Sequence, residues 1–199
     1  MDKQTGRVAQ RSRTRQAIVK AASRLLGRGE RPSLDDVAAE AEVSRATAYR
    51  YFPGLDALLS EAAVDVLVPE PEVVLDGTAP RDPAARLALV DETFDHAVRQ
   101  GEVALRLMLA RILERSAMQG PGETPLRQNR RVPMIERALE PLGGQLGAGR
   151  KRLSHALAMI IGTEGFIALN DVVGLNEDEA REVRRWAIDA LLSAALNDA

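Results

Sequence analysis

Residues 43–53 read Val43-Ser44-Arg45-Ala46-Thr47-Ala48-Tyr49-Arg50-Tyr51-Phe52-Pro53. Ser44 suits a helix N-cap and Pro53-Gly54 stops what it starts, so the stretch encodes one short helix. Ala48 and Phe52, at i and i+4, share its core face with Val43. Arg45, Thr47, Tyr49, Arg50 and Tyr51 are left to point outward or along the rim. Upstream, Leu34, Val37, Ala38 and Ala41 mark a second short helix, with Ser33 as N-cap and Asp36 completing a capping box. The turn Ala41-Glu42-Val43-Ser44 joins the two. Helices of this length are not stable alone. They need a third to pack on, and residues 16–28 supply it: Ile18, Ala21, Ala22 and Leu25 recur at helical spacing before Gly27 and Gly29 end the run. This is the layout of a helix-turn-helix.

The outward residues suit a nucleic-acid groove. Arg matches guanine edges, Thr and Ala meet the thymine methyl, and Tyr hydroxyls reach phosphates. The competing reading makes Tyr49 and Tyr51 core aromatics with buried rings. Charge supports a polyanion at this end. Residues 1–52 hold 11 Lys and Arg against 6 Asp and Glu, a net of +5, while residues 53–199 hold 16 against 23, a net of −7. A basic head on an acidic body is the asymmetry expected when one end meets phosphate, although clustered solvated charge gives the same count.

The run Arg15-Gln16-Ala17-Ile18, then Ser33-Leu34-Asp35-Asp36-Val37-Ala38, then Val43 through Leu59 resembles the DNA-binding domain of TetR-type transcriptional regulators. The likeness covers about residues 12–63, and its most specific part is Thr47-x-Tyr49-x-Tyr51-Phe52 with Leu58-Leu59. The resemblance implies an all-helical homodimer that binds a palindromic operator in duplex DNA and responds to a small-molecule effector, most often as a repressor. It implies phosphate contacts at Ser44 and Tyr51 and base-facing residues at Arg45, Ala46, Thr47 and Tyr49. Arg50, Ser33, Arg11 and Arg13 complete the expected DNA-binding set. Two positions depart from the family pattern. Glu42 stands where Gly is frequent, and since a non-Gly residue at φ > 0 costs about 1–2 kcal/mol, a wider turn is expected. Leu55 stands where Lys or Arg often contacts phosphate; a flexible basic arm over residues 1–15, with Lys3, Arg7, Arg11, Arg13 and Arg15, is expected to compensate.

The rest of the 199-residue chain also reads as helix, giving an all-α fold of about nine helices. A DNA-binding domain is expected over 1–60 and an effector-binding and dimerisation domain over 61–199. Residues 69–81, with Pro69, Pro71, Gly77 and Pro80, read as a loop between them. Helices follow over 83–100, 102–118, 129–142 and 150–172, and a last one is N-capped by Asn176. The helix over 150–172 is apolar on more than one face, and the last carries Trp186, Ala187, Leu191 and Ala194. With Ile160, Ile167 and Ala168 these are the expected dimer interface, the alternative being that both helices wrap the monomer core.

Phe94, Val98, Leu105, Met108, Leu109, Ile112, Met134, Ile135, Leu157 and Ile161 are the candidate lining of a mainly apolar effector site, though an ordinary filled core would use the same residues. Glu164, inside an apolar run, is expected to be buried and to pair with an Arg such as Arg111 or Arg115, or to face the dimer or the effector.

Cysteine is absent, which excludes disulfides, thiol catalysis and Cys-based metal sites. His96 and His155 are the two histidines, and no nucleophile elbow, P-loop, dinucleotide fingerprint or zinc-protease pair occurs. The expectation is a cytoplasmic protein that is not an enzyme, with no cofactor, no metal and no membrane segment; a helical interaction scaffold without sequence-specific DNA binding is the alternative.

Overall fold

A computed structural model describes residues 3–77, 79–118 and 129–198, without the side chains of residues 3–9, 12, 60, 63, 64 and 115. Among the described residues there are eleven α-helices and no strand. They group into two compact units, residues 1–67 with 101–128 and residues 68–100 with 129–199.

The first unit begins with α1 (Lys3–Gly27), then α2 (Leu34–Glu40), α3 (Arg45–Tyr51) and α4 (Leu55–Leu67). A later helix, α7 (Glu102–Met118), packs on α4. Ile18, Val19, Ala21, Ala22 and Leu25 of α1 meet Leu34, Val37 and Ala38 of α2, Ala48 and Phe52 of the third helix, and Leu58 and Ala62 of α4 in one buried cluster. Each fully buried aliphatic side chain there contributes roughly 1.5–3 kcal/mol. The Ser23 hydroxyl donates to the carbonyl oxygens of Val19 and Ala62 at 2.9 and 3.1 Å, which leaves no orphan at the α1–α4 seam.

The expected flexible arm is a helix from Lys3 onward. Apolar periodicity starts only at Ile18, so the polar stretch before it carries no amphipathic signal. Yet Arg and Gln are good helix formers, and no proline interrupts them. Arg15, counted with the arm, is instead held inside the unit: its guanidinium forms a bidentate pair with Glu61 of α4 and lies 4.7 Å from the centroid of the Phe52 ring. At its C-terminus α1 closes with Gly29 at φ +78°, the Gly29 N–H bonding to Leu26 O at 2.9 Å and the Glu30 N–H to Leu25 O at 3.1 Å.

The second unit contains α5 (Pro71–Leu75), α6 (Pro83–Gln100), α8 (Arg131–Ala138), α9 (Gly149–Ile160), α10 (Thr163–Ile167) and α11 (Glu177–Asn197). The short α5 interrupts the stretch expected as loop, with Pro71 in its first turn. Asn176 caps α11 as expected, in a capping box with Glu179. Arg86 on α6 is buried and donates to the carbonyl oxygens of Leu75, Pro80, Arg137 and Ala138 at 3.0–3.2 Å, tying α5 and the end of α8 to α6. Arg184 on α11, also buried, bonds Asp91 at 3.0 Å and Asp95 at 2.7 Å on α6. Burial pushes the Asp91 carboxyl up, and the adjacent Arg184 only partly offsets that.

The helix expected over 150–172 is broken. Ile161 is extended (φ −80°, ψ 122°) and Gly162 takes φ +109°, so Gly149–Ile160 and Thr163–Val172 meet at a 48° bend, the latter ending in a π-helical turn over Ala168–Val172. Apolar periodicity runs straight across the break, which hides it in the sequence. Arg131 fills the bend: it donates to Ala158 O at 2.7 Å and pairs with Glu164. Glu164 is therefore half-exposed rather than buried, and its partner is Arg131. No single helix among the described residues is long and apolar enough to cross a membrane.

Candidate nucleic-acid interface

Two caps and one turn position the interface. Ser33 accepts from the Asp36 N–H at 3.2 Å while the Asp36 carboxylate accepts from the Ser33 N–H at 2.8 Å. The Ser33 hydroxyl, which also donates to the Asp36 carboxylate at 2.6 Å, and then the Ser33 N–H hold that carboxyl below the usual carboxylate range. At the other end of α2 the Val43 N–H bonds to Ala38 O at 3.0 Å and the Glu42 N–H to Ala39 O at 3.1 Å. That double closure needs a left-handed residue between them, and Glu42 supplies it at φ +55°. The turn is thus tight where a wider one was expected; Glu42 bears the conformational cost. Val43, half-buried, packs against the head core.

Ser44 then caps α3, its oxygen accepting from the Thr47 N–H at 3.1 Å and sharing a 2.8 Å hydrogen bond with the Thr47 hydroxyl. Ala48 is fully buried, which turns the opposite face outward. Arg45, Ala46, Tyr49 and Arg50 are exposed and Thr47 is half-buried. Tyr49 is 43% exposed, which removes it from the core. Tyr51 is split between the two readings: its ring packs against the head core, and the Arg50 guanidinium lies 5.5 Å from the ring centroid. Leu55 packs against the same core. Arg11 and Arg13 are exposed on α1; Lys3 and Arg7 have side chains outside the described residues. Ser33 is exposed, but its hydroxyl is engaged with Asp36.

Three pairings were not read from the sequence. Arg45 Nε lies 2.9 Å from Asp35 Oδ1. Arg24 and Arg28 converge on Glu40, which holds that carboxyl below its ordinary range. Arg15 is withdrawn into its pair with Glu61. The capping pattern announced the starts of α2 and α3, but nothing local announces a partner ten or more residues away.

An α-helix with side chains is about 10–12 Å across and the major groove of B-DNA about 12 Å wide. The exposed face of α3 offers two guanidinium groups, a phenol and a small methyl, which are groove-reading groups. Residues 18–62 match the model of the bacterial regulatory proteins of the TetR family. Over those residues the chain is similar to that family's N-terminal domain. The match spans the helix-turn-helix and most of α4, so it includes every residue of the exposed α3 face. No curated protein and no solved structure matches the chain.

The other sequence-derived candidates lie outside this head. Leu105 and Met108 are buried and Leu109 and Ile112 half-buried on α7, in the first unit. Phe94 and Val98 on α6, Met134 and Ile135 on α8, Leu157 on α9 and Ile161 after it are all buried in the second unit. Of the expected interface residues, Ile160, Ile167, Ala187 and Leu191 are half-buried, Ala168 and Ala194 are exposed, and Trp186 is 71% exposed. A groove between α6 and α11, lined by Ala88, Glu92, Arg185 and Ile188 among others, includes none of the expected effector residues.

Proposed function

We propose that this TetR-type protein is a cytoplasmic transcriptional repressor that binds a palindromic operator as a homodimer and is released by a small, mainly apolar effector. The observation that carries the reading is the exposed face of α3, with Arg45, Tyr49 and Arg50, on a head of this family. Homodimerisation draws support from the second unit. Val183, Trp186, Ala190 and Ala194 form an outward stripe on α11, and Met159 on α9 is 73% exposed. A tryptophan in water beside small apolar residues at helical spacing is the composition of a helix–helix interface. The effector rests on the family likeness and on the Met, Phe and Leu character of the buried helices named above.

The test is selection of bound sequences from random duplex DNA by the purified full chain. An enriched inverted repeat, with half-sites about 34 Å apart and affinity falling steeply with salt, is the expected result. Equal affinity for all duplexes would leave the scaffold reading in its place.

A further inference from the structure

Asp35 is out of place on a DNA-facing surface. It stands in the first turn of α2, is exposed, and adds negative charge where phosphates must approach within a Debye length of about 8 Å. Its contact is with Arg45, the first residue of α3: Oδ1 lies 2.9 Å from Nε. Arg45 is held from a second side, its guanidinium carbon 5.5 Å from the centroid of the Tyr49 ring one turn further along α3. An arginine side chain has much rotamer freedom to lose when it is held in one place. Here it is fixed at Nε by a carboxylate and at its face by an aromatic ring.

The chemistry of the guanidinium makes this arrangement selective. Arginine has five N–H donors in a planar fork. With Nε–H turned to Asp35, the edge formed by Nη1 and Nη2 is the one left to meet a base. Two parallel donors on that edge match two adjacent acceptors, and in the major groove guanine alone offers such a pair, O6 and N7. Adenine presents N7 beside a donor. Thymine presents one acceptor beside a methyl group.

We propose that Asp35 is a positioning residue that aims Arg45 at a guanine in each operator half-site. The proposal rests on the DNA-binding reading above and adds to it a specificity determinant outside the recognition helix. Two simpler roles make different predictions. A carboxylate that only complements the α2 macrodipole changes thermal stability and leaves base preference alone. One that only dampens the charge of Arg45 weakens binding to every duplex equally.

The experiment uses the full chain, its Asp35→Ala, Asp35→Asn and Arg45→Ala variants, and the duplex enriched by the wild-type protein. Each guanine of that duplex is replaced in turn by 7-deazaguanine, which keeps O6 and the Watson–Crick edge but lacks the N7 acceptor. The expected result is one symmetric pair of positions where the replacement weakens wild-type binding about tenfold per half-site and leaves Arg45→Ala binding unchanged. At those positions the penalty falls below about threefold in Asp35→Ala and is intermediate in Asp35→Asn, which keeps a neutral acceptor, while affinity for random duplexes is unchanged or rises. Circular dichroism melts of the variants separate this from loss of the head. An undiminished penalty in Asp35→Ala, or an equal gain for all duplexes, overturns the proposal and leaves DNA binding standing. A wild-type chain that enriches no motif overturns both.

Discussion

Arg15 and Glu61 form a bidentate ion pair across the α1–α4 seam, with the guanidinium stacked near Phe52. Both side chains are nearly buried, at 13% and 8% exposure. Removing one partner strands the other charge out of water. Arg15→Ala is therefore expected to cost about 3 kcal/mol of stability, and Arg15→Met with Glu61→Leu to recover most of it. Urea unfolding of the three proteins checks this; a neutral Arg15→Ala would mean the pair contributes nothing.

Glu42 occupies left-handed backbone at φ +55°. Glu42→Gly removes the Cβ that makes this costly and is expected to stabilise the chain by about 1 kcal/mol, or raise its melting temperature by about 3 °C. Glu42→Ala, which keeps the Cβ and loses only the charge, should show no such gain. Equal melting of the two substitutions would assign the effect to charge.

Gly165 has no room for a side chain: a Cβ there would stand 1.9 Å from the Ile160 carbonyl oxygen. Gly162 combines φ +109° with Arg131 atoms 3.1 Å from where its Cβ would be. Gly165→Ala is expected to destabilise by about 3 kcal/mol or prevent folding. Ala168→Gly, on the exposed continuation of the same segment, should cost under about 1 kcal/mol. Thermal unfolding of both variants gives the comparison, and similar melting would show that the bend yields freely.

Leu191→Glu and Ala187→Glu place charge on the half-buried border of the Trp186 stripe. Each is expected to give monomers and to lose operator affinity, since neither half-site alone is held tightly. Sedimentation velocity that finds intact dimers for both variants would place the interface elsewhere.

The Asp36 carboxyl is held below its ordinary range first by the Ser33 hydroxyl and then by the Ser33 backbone N–H. A depressed folded-state value means that this stabilisation is present above the unfolded carboxyl range, near pH 4, and is lost as pH falls through the folded value. Ser33→Ala should therefore melt below wild type at neutral pH, and the gap should narrow in acid. A gap that stays constant from pH 7 to pH 3 would contradict the shift.

What was legible in the sequence was local. Ser33 with Asp36, the caps at Ser44 and Asn176 and the pairing of Ala48 with Phe52 all act within four residues, and the structure has each as read. What escaped depends on partners brought together by the fold. Arg15 read as part of a tether because its anchor, Glu61, is 46 residues away. Glu164 read as buried because the turn of chain at Gly162, which carries it to Arg131, interrupts no apolar pattern. Asp35 gives no local signal of its pairing with Arg45, because an acid in the first turn of α2 is accounted for by the macrodipole. The exposed α3 face was legible because its two core residues fix which side is left over.

The 25-residue length of α1 changes what its basic residues can contribute. At 1.5 Å per residue it is a rod of about 37 Å, clamped through Arg15. Arg11 and Arg13 ride on backbone that is already ordered. A limp tether would surrender about 1–2 kcal/mol of chain entropy for each residue it immobilised on a polyanion. A prebuilt rod surrenders little, so each contact it makes adds to affinity almost undiminished. The same stiffness confines those contacts to phosphates lying along one line from the clamp.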